Sequence, residues 1–123
     1  MIKCRIYFHY FPTFIESLTR YLQEHPHLKD DLSRAMEQLE GRGFLQREAV
    51  GKGVYKIRVP LRDQNIGARG GGRLLLFRHG EFGIPFLFYL KSEFKTAPED
   101  LLRSRLTQLR SQIDRQPPLP LSD

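Results

Sequence analysis

Val54-Tyr55-Lys56-Ile57-Arg58-Val59-Pro60 is followed, after a short polar stretch, by Gly67-Ala68-Arg69-Gly70-Gly71-Gly72-Arg73 and the apolar run Leu74-Leu75-Leu76-Phe77. Successive side chains of a strand point to opposite sides of a sheet. The first run therefore predicts a strand with Lys56 and Arg58 on one face and Tyr55, Ile57 and Val59 on the other. The glycines carry the chain round to Arg73, which opens the next strand. A cationic sheet face beside an arginine-bearing loop is a place for a polyanion.

Outward from this segment the period stays strand-like, with strands expected at Arg73 to Arg78 and Ile84 to Leu90, joined by the glycine-rich link His79-Gly80-Glu81-Phe82-Gly83. Upstream it is helical. Phe14, Ile15, Leu18, Tyr21 and Leu22 form one apolar stripe that stops before His25-Pro26, and Pro12 suits an early helical position. Leu32, Ala35, Met36 and Leu39 form a second stripe ending at Gly41-Arg42-Gly43, with Asp30 and Asp31 at its positive N-terminal end. Ile2 to Phe8 reads as a strand. Thr96-Ala97-Pro98-Glu99 has capping-box spacing and starts a last helix, with Leu102, Leu106, Leu109 and Ile113 as its stripe. The expected fold is α+β. An N-terminal strand and a three-strand meander form a small antiparallel sheet, packed by a two-helix hairpin and followed by a C-terminal helix. Residues 1–115 make one domain, and Gln116-Pro117-Pro118-Leu119-Pro120 opens an extended or disordered tail over 116–123.

With 123 residues, 40% hydrophobic and 28% charged, the chain suffices for one core and is too short for two ordinary domains. Its formal charge of +6 and pI of about 9.8 favour an anionic partner. Cys4 is the single cysteine, which excludes an intrachain disulfide and fits a reducing cytoplasm. No cofactor is implied, and His9, His25, His27 and His79 lack metal-ligand spacing. No apolar run approaches the ~18 residues of a membrane span, so a cytoplasmic protein without membrane partners is expected.

The basic charge is concentrated. Lys52, Lys56, Arg58, Arg62, Arg69, Arg73 and Arg78 lie in a stretch whose one acidic residue is Asp63. A charge run is most often a solvated face, but like charges side by side on a strand cost stability. Lys56 and Arg58 are easier to understand with an anion between them. Lys91 and Glu93, two apart at the end of the last strand, form a second candidate group. Tyr55 and Tyr89 serve either as packing residues or as stacking platforms for bases. The glycine run is not a P-loop, since no Gly-Lys-Ser/Thr follows it.

The ordered motifs Gly-x-Tyr-Lys-Ile-Arg, Gly-x-Arg-Gly-Gly-x-Arg-Leu-Leu-x-Phe and Phe-Leu-x-Tyr-x-Lys-x-Glu, spread from Gly53 to about Leu102 and followed by a capped helix, resemble the RelE/HigB-like toxins of bacterial type II toxin–antitoxin systems. The resemblance implies a metal-independent endoribonuclease that cuts mRNA, often on the ribosome, and is silenced by a cognate antitoxin. It implies attack of the RNA 2′-OH on the adjacent phosphate. Position by position, Lys56 matches a possible general base, Arg58 a phosphate ligand, and Arg73 an exposed arginine that stabilises the transition state bidentately. Lys91 matches the lysine of the last strand, with Glu93 beside it as proton carrier or orienter. Some relatives place a tyrosine acid after this strand; here Phe94 and Lys95 follow, which leaves Lys91 and Glu93 as alternatives for the acid. Lys52, Arg62, Arg69, Arg78, Tyr55 and Tyr89 complete the expected RNA-binding set. Two other classes stay open, a ParE-like gyrase inhibitor and a non-catalytic RNA- or ribosome-binding domain.

Overall fold

The computed structural model describes residues 3–7, 12–64, 71–94 and 99–118. Its elements, in chain order, are β1 (Arg5–Ile6), α1 (Pro12–Glu24), α2 (Leu28–Arg42), β2 (Ala49–Gly51), β3 (Val54–Val59), β4 (Gly72–His79), β5 (Phe82–Leu90) and α3 (Glu99–Arg115). Single helical turns at Gln46–Glu48 and Arg62–Gln64 flank β2 and β3. The α+β class expected from the sequence is observed. The sheet order is β1-β5-β4-β3-β2, with β2 to β5 antiparallel. Two details differ from expectation: β1 runs parallel to β5, making the sheet mixed, and β2 adds a fifth strand. A three-residue strand carries too little alternation to be seen in sequence. The capping box before α3, with Thr96 to Pro98, and the tail beyond Pro118 lie outside the described residues, as do Ile2 and Phe8 of the expected N-terminal strand.

Alternation on β3, β4 and β5 builds two cores rather than one. Tyr55, Ile57, Val59, Leu74, Leu76, Phe88 and Leu90 face α1 and α2, joining Tyr21, Leu28, Leu32, Met36 and Leu39. Val54, Leu75, Ile84, Phe86, Leu87 and Tyr89 face α3, joining Leu106, Leu109 and Ile113. The central strands are thus buried on both sides, and each fully buried leucine contributes about 1.5–3 kcal/mol of transfer free energy. Both expected helix stripes on α1 and α2 exist, but Ile15 and Leu22 sit at the margin of the α1 stripe and are exposed.

A register shift between Leu75 and Leu76 marks a β-bulge on β5. Leu75 pairs with Leu87 and Leu76 with Pro85, so Phe86 is the extra residue and both Phe86 and Leu87 enter the α3-side core. The turn after β3 is fastened to the start of α2. The buried Asp31 carboxylate accepts from Arg62 N–H at 3.1 Å and from its Nε at 2.9 Å. Asp63 accepts from the His27 backbone N–H at 3.0 Å and lies 2.6 Å from its Nδ1. Those contacts, the ring nitrogen first, hold the Asp63 carboxyl below the ordinary range.

Two glycines let the chain enter β4. Gly71 has φ +49°, and a Cβ there would lie 2.3 Å from the Val59 carbonyl oxygen. A Cβ on Gly72 would fall 2.3 Å from the Phe88 ring. We expect Gly72→Ala to displace Phe88 and destabilise the fold by about 1–3 kcal/mol, read as a lower urea midpoint; an unchanged midpoint contradicts the close packing. Burial, aided by Glu40, pushes the Cys4 thiol up to about 12. Native protein is therefore expected to resist iodoacetamide at neutral pH and to be alkylated once unfolded in urea. Native labelling at the unfolded rate would refute this.

Candidate nucleic-acid interface

The face of the sheet that α3 covers is covered only in part. Cross-strand neighbours there form rows: Val54, Phe77 and Ile84; then Lys56, Leu75 and Leu87; then Arg58, Arg73 and Tyr89. The first row, Leu75 and Leu87 of the second and Tyr89 of the third belong to the core that α3 closes. Lys56 is half-buried and Arg58 exposed, beyond the reach of that helix on β3. Among the described residues, neither side chain has a hydrogen bond or an ion pair.

Arg58 stands directly opposite Arg73. Arg73 differs from its expected exposed position: it is only 5% exposed, at the floor of the row. Its Nη1 donates to the Gly72 carbonyl at 2.9 Å. Burial first, and the positive charge of Arg58 second, lower its affinity for the proton, while Tyr89 opposes them. The guanidinium stays charged because its ordinary pKa is so high. Two positive groups are therefore held opposite one another by backbone register, one dry and one wet. Tyr89, also buried, lies beside Arg73 and packs edge-on against Phe94 at 6.3 Å.

Lys91 belongs to the same end of the sheet. Its backbone N–H donates to Gly71 O at 3.1 Å, one step beyond the Gly72–Leu90 pair, and its side chain is exposed. Glu93 does not join it. The chain turns after β5, and both Glu93 oxygens accept from Arg20 Nη2 of α1, at 2.7 and 3.0 Å. Arg20 also stacks over Tyr21 at 4.6 Å. Burial and the Glu93 carboxylate together raise the pKa of the Tyr21 phenol.

The other expected RNA-binding residues are dispersed. Tyr55 is buried in the α2-side core, tilted against Phe44 at 4.6 Å, so it presents no face for a base. Arg78 is on that same side and donates to Gly80 O at 3.0 Å and, more weakly, to the Tyr55 hydroxyl at 3.4 Å. Arg62 is taken up by Asp31 and Asp30. Lys52 occupies the β2–β3 turn at φ 56°, where its carbonyl accepts from Arg110, beyond the Val54 end of β3 and so more than about 13 Å of strand from Arg58. Arg69 lies outside the described residues.

Two cations escaped sequence reasoning. Arg42 and Arg47 line, with Glu48, Val50, Lys56 and Arg58, a cavity of about 660 Å³ beside the outer edge of β3. In the sequence, Arg42 reads only as part of the Gly41-Arg42-Gly43 helix stop. The chain reversal between α2 and β2 is what brings both arginines to β3.

No protein-family model matches this chain, and no curated protein or solved structure matches it. The site must be judged from its own geometry, which carries a thermodynamic consequence. Removing one of two like charges opposite each other relieves repulsion. Arg58→Ala is expected to leave stability unchanged or raise it by up to about 1 kcal/mol at low ionic strength, with the gain shrinking in salt. A clear loss of stability by urea titration would mean that Arg58 holds the fold together rather than serving a ligand.

Proposed function

We propose that the chain is a metal-independent endoribonuclease of the toxin type, cutting mRNA by attack of the 2′-OH on the adjacent phosphate and kept silent by an antitoxin. The observation that carries this reading is the accessible Lys56–Arg58 face of β3, with the buried Arg73 opposite Arg58. An anion seated on Lys56 and Arg58 offsets the repulsion between like charges that share one strand face.

Arg58 is the exposed fork for the scissile phosphate, and Arg73, opposite it on β4, adds fixed positive charge in a water-poor place where developing negative charge is stabilised most. Lys56 projects from the same face about 7 Å along the strand. As an amine it accepts the 2′ proton while O2′ forms its bond to phosphorus. The P–O5′ bond breaks, leaving a 2′,3′-cyclic phosphate, and the departing 5′-oxygen takes a proton. Lys91 is the better donor of the two alternatives, because Glu93 is committed to Arg20 on the other side of the sheet end.

In the first test, purified protein is incubated with mRNA and ribosomes in EDTA. The expected products carry a cyclic phosphate and a 5′-hydroxyl. Loss of cleavage in EDTA, gyrase inhibition in its place, or RNA binding without cleavage would reject the proposal. Arg58→Ala should lower the cleavage rate by about 10²–10³-fold. The acid is tested separately: a substrate with sulfur at the 5′ bridging position leaves without protonation. It should restore cleavage by Lys91→Ala but not by Arg58→Ala. Failure of that selective rescue removes Lys91 from the acid role.

A further inference from the structure

The 660 Å³ cavity beside β3 holds positive charge that cleavage of one phosphate does not need. Its size falls within the range of ligand sites, about 300–1,000 Å³. It exists because β2 is short: Ala49 pairs with Tyr55 and Gly51 with Val54, and β2 extends no further along β3. The outer edge of β3 at Lys56 and Arg58 is flanked instead by the Gln46–Glu48 turn and the end of α2.

One wall is rigid and electrically balanced. Arg42 donates to both oxygens of Glu48, at 2.9 and 2.7 Å, and to the Gly43 carbonyl at 2.9 Å. The one carboxylate lining the cavity is therefore already matched by an arginine. Arg47, Lys56 and Arg58 remain, and among the described residues none of the three side chains is in an ion pair or hydrogen bond. Arg47 is exposed and lines the cavity together with Lys56 and Arg58, whereas Arg73 does not line it. A line across the strands runs from Arg73 on β4, over Arg58 on β3, and into this cavity.

We infer that the cavity is a second subsite for the RNA backbone, in which Arg47 binds the phosphate neighbouring the scissile one. The inference rests on the reading of this face as an RNA site. The strand then crosses the sheet perpendicular to β3, instead of running along it toward Lys52. Arg42 is a positioning residue here: it holds Glu48 against the wall and keeps that carboxylate off Arg47 and Lys56.

The test measures binding of a fluorescein-labelled, single-stranded 2′-O-methyl RNA, which cannot be cleaved, as a function of salt. A lost phosphate contact lowers the slope of log K against log salt by about 0.7. Arg47→Ala should show that drop, Arg47→Lys should recover most of it, and Lys29→Ala, at the other end of α2, should keep the wild-type slope. A wild-type slope for Arg47→Ala overturns the inference, as does an equal drop for Lys29→Ala, which would mean diffuse attraction. Cleavage of unmodified RNA is scored independently. Its absence rejects the nuclease reading, while the slopes still decide whether the cavity binds a phosphate.

Discussion

The pairing register of β3 on β4 is the constraint on which the molecule depends. Val54 opposite Phe77 and Arg58 opposite Arg73 are two ends of one alignment. A slip by one residue would exchange the faces and drive Lys56 and Arg58 into the core packed by α1 and α2. That core therefore enforces the awkward juxtaposition of two arginines on the other face. Apolar burial, worth kilocalories per side chain, outweighs the smaller repulsion between partly screened charges.

The second determinant is the extent of α3. Its buried residues Leu106, Leu109 and Ile113 meet one half of the sheet face, and Arg110 stacks on Phe77 at 5.4 Å, at the covered end. The uncovered half has a basic outer boundary made by the α2–β2 connection. Helix, sheet and reversal thus enclose a cationic surface that none of them would form alone. Glu81, Glu93, Glu48, Asp30 and Asp31 each engage an arginine.

Much of the architecture was legible in the residues. The β3 boundaries, the helix stop at Gly43, and the burial of Leu106, Leu109 and Ile113 follow from periodicity, a local property that packing preserves. The direction of β1 was not, because a short strand pairs either way until the fold chooses its neighbour. At the site, Lys56 and Arg58 were found by alternation alone. Arg47 was invisible because only the chain reversal brings it to β3, and the separation of Glu93 from Lys91 depends on how the chain turns after β5. Tyr55 and Arg78 illustrate the reverse case. A basic or aromatic residue near a site in sequence is placed by strand parity on whichever side the core demands.

The bulge at Phe86 acts as a phase shifter. If Phe86 paired regularly with Leu75 instead of bulging, the rest of β5 would arrive on β4 one residue out of register, and Phe88 would take the place of Tyr89. Arg73 would then face a phenylalanine, and the backbone position of Lys91 would follow the wrong parity. A bulge at a single residue, more than ten positions from the basic strand in sequence, thereby keeps the phase in which β5 delivers Tyr89 beside Arg73.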